Sequence, residues 1–600
     1  MNTTLWLRGV RASDGYGFDT VWESEGRLTK TGFVVLFAIP FQSIRFPNAA
    51  AQRWGIALAR YIPRNNEESY WPYITPRIQG FAQQMATLEG LERISRSHNA
   101  QIIPYIAGAN SRSLGEGPGL TKSSDLRVGV DGKYVFRDAL TLDFTVNPDF
   151  SQVESDDPQV TLNQRYEVFY PEKRPFFFDN AAYFSTPVNL FHSRRVVDPG
   201  AGARLTGKIG NWTIGLLGTN DRAPGKSVSL TDPQRGDLAS IGVARVTREI
   251  GKQSSAGAFF SDREFGPSYN RVAAADLNWR FDPSWTLRAQ GIHSDDRERN
   301  SAATAGSAVF VQVSGGDRNG AYAATYSAFD PDFRAPLGFI RRVGIRQSDQ
   351  FLSYYWHPKS GPVTSVGPST SQSVVYDYSG RLTDWTGGSQ FDISFRGPTR
   401  LTVSRYTSYE YYLGRNFVKA LTGTSFYTAR LKWMDVFGSY YRGDAVNYVP
   451  AAGLQPFLGL SDIANLGANI HFARFRVESY YTYTRLRSKS SDVVFNNHIA
   501  RSKLNYQFTR ALSARAILDY YAQLPNEYLI DQTRFKQLGA DVLITYMVHP
   551  GTALYIGYSN RFQNLGIDPA NPRLLIPIGG VPLFQTSHLL YFKLSYLLRL

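Results

Sequence analysis

The chain has 600 residues, and its 65 basic and 50 acidic residues give a formal net charge of +15. Aromatic residues make up 14% of the chain, which excludes a disordered protein, and the lack of cysteine excludes a disulfide scaffold, a thiol nucleophile and cysteine-bound metals. The basic residues are spread along the whole sequence, which argues against a nucleic-acid partner. No stretch reaches the ~18 apolar residues of a membrane helix, but strands that cross a membrane stay possible.

The N-terminal region, residues 1–97, contains short strand-like runs separated by prolines, and it predicts part of a β-sandwich. Trp22, Trp54 and Trp71 lie in this region. Their rings are candidates to stack on a sugar, and the alternative is that they pack in the sandwich core. The region begins without the basic and apolar segments of a secretory signal, so we expect either a cytosolic protein or a chain that lacks its true start.

From residue 98 to residue 600, apolar and polar residues alternate with a period of two. In one such segment, Phe391, Ile393 and Phe395 share a face, and polar residues occupy the other. Short turns rich in Gly, Pro, Asn or Asp, such as Ile209-Gly-Asn-Trp, alternate with longer loops. The pattern predicts an all-β fold: a large antiparallel transmembrane β-barrel of about 24 strands, within a range of about 22 to 26.

In such a barrel, one face of each strand meets lipid and the other faces an aqueous interior. The apolar side chains that we assign to the lipid face include Phe391, Ile393, Leu431, Trp433, Ile544, Leu594 and Leu598. The arginines that we assign to the interior include Arg127, Arg288, Arg396, Arg430, Arg476 and Arg515. Side chains alone cannot fill so wide a barrel, so its lumen must hold either water or a plug.

Residues 149–202 interrupt the alternation with about fifty residues that have no regular period, and loops of this length are usually functional or disordered. Seven aromatic residues between Phe169 and Phe184 favour order, so we predict an internal plug or lid. The candidate ligand-binding residues of this loop are Glu154, Asp156, Asp157, Glu172 and Arg174.

The acidic residues of the loop allow three chemistries. They can pair with arginines of the barrel wall, contact a solute or a calcium ion, or supply the two acids that cleave a glycosidic bond. The sequence has no His-Glu-x-x-His motif, no nucleophile elbow and no phosphate-binding loop. We therefore predict no catalytic residue, no metal ligand and no cofactor.

The last strand predicts how the barrel closes. Phe592, Leu594, Tyr596 and Leu598 alternate with less apolar residues up to the final Leu600. A barrel must pair its final strand with an early one to remove its edges. An amphipathic final strand is also similar to the signal by which outer-membrane proteins engage the barrel-assembly machinery, which we expect to be a partner.

Three stretches resemble the DUF5916 outer-membrane proteins, an uncharacterised family in which the barrel follows a family-9-like carbohydrate-binding domain. The stretches are Val146–Asp156, Phe169–Asn180 and Leu337–Arg342. The resemblance implies that residues 1–97 are the C-terminal half of the carbohydrate-binding domain. It also implies a location in the outer membrane of a Gram-negative bacterium, among its lipid and lipopolysaccharide, with the N-terminal part in the periplasm. It supplies no known reaction or substrate.

These observations together predict a pore, or a carbohydrate-related binding or uptake component, of the outer membrane. Two alternatives stay open. One is a glycan hydrolase that acts at the acidic residues of the internal loop, and the other is a structural or assembly protein of the envelope.

Overall fold

A computed structural model describes most of the chain, and nearly all of its regular structure is β-strand. The described residues are 23–39, 41, 50–62, 67–74, 84–92, 94, 100–114, 119–136, 140–251, 253–568, 575–578 and 580–599. None of the helices among these residues has the length and apolar character needed to cross a bilayer.

The described part of the N-terminal region contains six short strands in three two-stranded antiparallel sheets. The first strand pairs with the second, the third with the sixth, and the fourth with the fifth. The strands are β1 (Glu23–Leu28), β2 (Phe33–Ala38), β3 (Ala51–Ile56), β4 (Leu58–Ile62), β5 (Glu67–Trp71) and β6 (Ala86–Glu92). Three separate ladders do not test whether residues 1–97 form a β-sandwich, so the sandwich remains a prediction.

Apart from one hairpin, the described strands from residue 100 to residue 599 form one closed antiparallel barrel of 24 strands, which confirms the predicted fold class and strand number. Its first twelve strands are β7 (Ala100–Leu114), β8 (Leu120–Phe136), β9 (Leu140–Val146), β10 (Ala201–Ile209), β11 (Trp212–Asp221), β12 (Ala239–Ile250), β13 (Ser254–Phe265), β14 (Ser268–Asp282), β15 (Trp285–Arg297), β16 (Thr304–Gly316), β17 (Gly320–Phe329) and β18 (Ile345–Tyr354).

The second half of the barrel continues in chain order around the ring. Its strands are β19 (Val363–Asp377), β20 (Leu382–Phe395), β21 (Thr399–Tyr412), β22 (Arg415–Leu431), β23 (Met434–Asn447), β24 (Phe457–Phe472), β25 (Phe475–Arg487), β26 (Val493–Gln507), β27 (Leu512–Pro525), β28 (Phe535–His549), β29 (Thr552–Gln563) and β32 (Phe584–Ser595). A separate hairpin, β30 (Leu565–Ile567) and β31 (Leu575–Pro577), lies in the loop before β32.

The final strand closes the ring as the sequence predicts. Strand β32 pairs with β29 on one side and with β7 on the other, where Leu594 lies opposite Ile106. The two-residue strand β33 (Leu598–Arg599) extends the same pairing along β7. Every barrel strand therefore has a neighbour on both sides over at least part of its length, as a strand in a bilayer requires.

The two faces of the strands also agree with the prediction. Side chains assigned to lipid, such as Phe391, Leu431 and Ile544, lie exposed on the outside. Exposed aromatic residues gather at the end of the barrel with the short turns, among them Trp212, Trp279, Phe281, Trp433 and Phe508. An apolar band with an aromatic girdle is typical of barrels that span a membrane.

Strands β9 and β10 are the shortest full strands of the wall, with seven and nine residues, whereas the neighbouring β8 has 17. The chain between them, residues 147–200, is called the internal loop below. It contains the helical turn α1 (Pro175–Phe178) and two 3-10 turns, Ala181–Phe184 and Ser193–Arg195. A second short helix, α2 (Ala223–Ser227), follows β11.

Candidate functional site

The internal loop begins and ends at neighbouring points of the barrel wall. Val146 pairs with Ala201, and the backbone N–H of Asn147 donates to the carbonyl oxygen of Gly200 at 2.7 Å. Asn147 has a φ of 51°, the left-handed conformation that asparagine tolerates better than most residues. The two ends of the loop are therefore held next to each other in the sheet, and the residues between them extend away from this point of the wall.

A cluster of charges around the buried Arg501 ties the start of the loop to β26 and β27. Glu154 lies 2.7 Å from Lys503 Nζ, 3.5 Å from Arg501 and 3.6 Å from Arg515. Arg501 is only 3% exposed and also contacts Asp157 at 3.2 Å and its cross-strand neighbour Asp519 at 3.0 Å. The same guanidinium donates to the carbonyl oxygens of residues 155 and 156 in the loop.

Of the residues predicted in this part of the loop, Glu154 and Asp157 therefore meet at one arginine. Asp156 pairs with Arg194, near the end of the same loop. The sequence does not single out Arg501, although it shares the inward face of β26 with Lys503. Residues two apart on a strand point to the same side, and this spacing of Arg501 and Lys503 is the signal by which Arg501 could have been found.

The charge cluster also sets the protonation of Glu154. Burial acts to raise the pKa of Glu154, but the hydrogen bond and charge of Lys503, with the charges of Arg515 and Lys173, outweigh burial and hold that pKa below its ordinary value. A carboxyl that serves as a general acid needs a raised pKa. Glu154 is therefore tuned to stay ionised and to bind cations.

Glu172 and Arg174 form a second buried pair, within the loop itself. Glu172 accepts two hydrogen bonds from the Arg174 guanidinium, at 2.9 and 2.7 Å, and one from the Ser193 hydroxyl at 2.7 Å. Arg174 also donates to the carbonyl oxygens of Ser193 and Val196, so the pair joins the two halves of the loop. Burial acts to raise the pKa of Glu172, but its bonds with Arg174 hold the pKa low.

The middle of the loop reaches a different part of the wall. Arg165 contacts Asp384 of β20 at 2.7 Å and Glu410 of β21 at 2.9 Å. The Tyr448 hydroxyl donates to Glu410 at 2.8 Å. Burial raises the pKa of Tyr448, and so do the charge and hydrogen bond of Glu410. Asn163 donates to the Val446 carbonyl at 2.8 Å.

The second half of the loop packs as an apolar core against strands β11 to β16. Its buried side chains contact wall residues that point inward, and the loop between β17 and β18 covers them. The members from the internal loop are Phe177, Phe184, Val188, Leu190 and Val196; those from the wall are Leu217, Ile241, Val243, Phe259, Val272, Ala274, Ile292 and Ala308; and those from the covering loop are Phe333 and Leu337.

Two of the three stretches that resemble a known family, Phe169–Asn180 and Leu337–Arg342, meet at this core. The N–H of Phe339 donates to the carbonyl of Asn189 at 2.9 Å, and the Phe339 ring lies against Phe169 and His192. The N–H of His192 donates to the carbonyl of Leu337 at 2.7 Å. Sequence reasoning found the stretch 337–342 but did not predict that it folds over the internal loop.

A cavity of about 600 Å³ lies between the middle of the internal loop and the wall. Its lining combines aromatic rings, amides and charged groups, contributed by Gln159, Val160, Gln164, Arg165, Tyr166, Glu167, Val168, Phe169, Arg341, Asp384, Glu410 and Tyr448. It lies near the loop end of the barrel, opposite the short turns, and is called the vestibule cavity below.

The tryptophans predicted to contact sugar lie in the N-terminal region. Trp54 on β3 contacts the Phe41 ring edge-on, and its indole N–H donates to Gln52 at 3.4 Å. Trp71 at the end of β5 is exposed. Trp22 lies outside the described residues. Their role in sugar binding therefore stays a prediction.

The low pKa of Glu154 predicts a response of the loop to acid. A carboxyl with a lowered pKa stabilises the folded arrangement fully above its ordinary pKa of 4.5, and that contribution is lost as the pH falls through the lower value. Below about pH 4.5 we therefore expect the contacts with Lys503, Arg501 and Arg515 to weaken and the conductance in a planar bilayer to rise.

The variant Glu154→Gln should show the acid level of conductance already at neutral pH and should lose this pH step. Glu249→Gln removes a carboxylate that pairs with Lys208 near the short turns, outside the internal loop, and is the control. An identical pH step in wild type and Glu154→Gln would show that Glu154 does not hold the loop.

A closed barrel with an apolar outer band and a lumen that contains charged groups defines the class of outer-membrane β-barrel proteins. Residues 99–206 match the family model described as Domain of unknown function (DUF5916). The match covers β7 to β9, the internal loop and most of β10, and it confirms the resemblance for two of the three stretches. The match does not include residues 1–97, so the family-9-like carbohydrate-binding domain expected there remains a prediction.

None of the curated proteins matches the chain. The siderophore receptor PirA from Acinetobacter baumannii is similar over 85% of this chain and 82% of its own, with 8% identity and a TM-score of 0.43. The copper transporter OprC is similar over 86% and 84%, with 10% identity and a TM-score of 0.41. The iron transporter FrpB from Neisseria meningitidis is similar over 83% and 81%, with 9% identity and a TM-score of 0.39. Similarity at this level assigns no solute to the chain.

Proposed function

We propose that the protein is a gated solute conduit of the outer membrane, in which the internal loop occludes the lumen and the vestibule cavity receives a small hydroxylated solute such as a carbohydrate. The observation that carries the proposal is the set of wall strands that the loop contacts. The proposal favours passage controlled by the shape of the loop over bond chemistry at its acids.

The loop contacts are distributed around the ring. The Gln290 side chain on β15 accepts a hydrogen bond from the Val188 N–H at 2.9 Å, and Arg165 pairs with β20 and β21. Glu154 pairs with β26, and Lys593 on β32 donates to the carbonyl of Asp149 at 2.8 Å. A segment that contacts strands on all sides of a barrel must cross its lumen, which supports occlusion.

The chemistry of the vestibule cavity supports a neutral, hydroxylated solute. Tyr166 and Phe169 present exposed ring surface, and the Gln164 amide and the Arg341 guanidinium offer hydrogen-bonding groups. Asp384 and Glu410 both pair with Arg165, and each pairs with a second cation, Arg342 or Lys419, so neither carboxylate is left to attract a charged solute. Pockets that combine apolar rings with a few placed polar groups are typical of ligand sites.

Replacing Tyr166 with alanine should weaken the binding of oligosaccharides. The ring makes one face of the cavity, and aromatic contacts contribute roughly 0.5–1.5 kcal/mol, so affinity should fall by about 2- to 13-fold without loss of the barrel. The measurement is calorimetric titration of the detergent-solubilised protein with a panel of neutral oligosaccharides.

Tyr528→Ala is the matched control, because Tyr528 is an exposed ring in a different loop and does not line the cavity. If no member of the panel binds the wild-type protein, the carbohydrate part of the proposal is wrong. If Tyr166→Ala and Tyr528→Ala behave alike, the solute binds elsewhere.

A further inference from the structure

The barrel wall has a notch on the loop side, next to the origin of the internal loop. Strand β8 pairs with β7 from Leu120 to Tyr134 but with β9 only from Val130 to Phe136. Residues 120–129 therefore have a strand neighbour on one side only. A strand that spans a bilayer needs about 9–11 residues. The wall at β9, with seven residues, stops short of that length.

The lower part of the notch lies at the depth of the hydrocarbon. Outward positions alternate along β8, and the positions beside the notch carry Leu126 and Val128, which are 66% and 67% exposed. Val146, at the top of β9, faces the same side and is also exposed. Further along β8 the outward residues become polar, with Ser124 and Lys122. The change from apolar to polar marks the upper boundary of the bilayer near Leu126.

A free strand edge at this depth needs polar partners. Backbone N–H and C=O groups that face hydrocarbon without a hydrogen bond are costly. Asn147 satisfies one of them, because its side-chain amide donates to the carbonyl of Val128 at 3.0 Å. No described strand pairs with the remainder of this edge. The edge therefore fits a molecule that offers hydrogen-bonding groups as well as apolar surface.

Charged residues at the rim favour an anion. Lys122 lies on the free edge of β8 and shares the outward face with Leu126 and Val128, and Arg222 and Lys226 lie across the notch, just after β11. One carboxylate pairs with two of these three cations. Asp198 contacts Arg222 at 2.9 Å and Lys226 at 2.6 Å. The rim therefore keeps an excess of positive charge.

We propose that the notch is a lateral binding site for an anionic amphiphile of the surrounding bilayer, whose acyl chains lie against Leu126, Val128 and Val146 while its head group binds the free edge of β8 and the basic rim. Short turns face the periplasm in such barrels, so the notch opens toward the outer leaflet. The occupant comes from the membrane, because the opening faces hydrocarbon on its outer side.

The test uses the full chain in vesicles that contain either phosphatidylglycerol or phosphatidylcholine with a photoreactive diazirine in the acyl chain. After illumination, mass spectrometry locates the adducts. We expect residues 120–129 and the adjoining loop residues 147–150 to carry more adducts than the fully paired strand β28. We expect this excess to be larger with phosphatidylglycerol.

The double variant Lys122→Gln/Lys226→Gln should reduce the preference for phosphatidylglycerol by roughly fivefold or more, since each basic residue near an anionic lipid contributes on the order of a fivefold change. Lys208→Gln, at the short-turn end of β10, should leave the preference unchanged. Heat-modifiable mobility on a gel shows that each variant is folded.

Two outcomes overturn the proposal. One is labelling of residues 120–129 at the level of β28 with both lipids and none in the internal loop. The other is a disulfide-linked dimer of Val128→Cys, a position that can be tested cleanly because the chain has no cysteine, since this would show that a second copy occupies the edge. Neither outcome bears on occlusion of the lumen, which conductance measures.

Discussion

Deletion of residues 148–199 is expected to open a wide, permanently conducting pore through the barrel. Asn147 and Gly200 are already joined by a backbone hydrogen bond, and Val146 pairs with Ala201. The deletion makes Asn147 and Gly200 adjacent, and Asn-Gly is the preferred pair for a two-residue hairpin turn. Asn147 already has the positive φ that this turn requires. The wall should therefore close without strain.

The expected change in conductance is large, because a 24-strand ring is wider than the roughly 16–18-strand porins that hold an aqueous channel. The deletion also uncovers the apolar patch of Leu217, Val243 and Phe259, so the variant should unfold at a lower temperature than the wild type. Planar-bilayer recording measures the conductance. Shortening the loop between β25 and β26, which is outside the internal loop, is the control. A folded deletion variant with wild-type conductance contradicts occlusion by the loop.

The second large effect is expected from Arg501→Ala. The guanidinium is almost completely buried and is shared by Glu154, Asp157 and Asp519, so its removal leaves three carboxylates close together without their common cation. Loss of one partner of a buried ion pair typically costs about 3–5 kcal/mol. We expect a lower unfolding temperature in detergent and a raised, noisier conductance, since the loop loses its anchor on β26.

Arg476→Ala provides the comparison for Arg501→Ala. Arg476 lies on the neighbouring strand β25 and pairs with Glu478 at 2.5 Å, but its side chain is half exposed. Exposed ion pairs contribute about 0–1 kcal/mol, so this variant should remain near the wild type. Equal effects of the two substitutions would mean that Arg501 has no special role in holding the loop.

The barrel itself was predictable because its strands repeat one local rule. Each membrane strand exposes one face to lipid, so Phe391 and Ile393 follow a period of two that is visible in any short window of sequence. The closing strand was predictable for the same reason, since Leu594 and Leu598 continue the pattern to the end. Asn147 and Pro148 end the alternation of β9, and this break in the pattern is the signal in the sequence for the internal loop.

The partners of the internal loop could not be predicted, because they depend on which strands face each other across the lumen. Glu154 meets Arg501 at a separation of 347 residues, and Lys593 meets Asp149 at 444. Alternation states only that Arg501 points inward, not what it meets. The packing of Leu337 against the internal loop could not be predicted either, since a turn-rich loop of that length can also extend outside the barrel.

The two-ended attachment of the internal loop has a consequence for how the protein is assembled. Asp149 and Glu154 are synthesised long before Lys593 and Arg501, and the sheet becomes a ring only when β32 meets β7. The contacts of Asp149 with Lys593 and of Glu154 with Arg501 can therefore form only when the last strands arrive. We expect the sheet to close around a loop that is already tethered to its first strands.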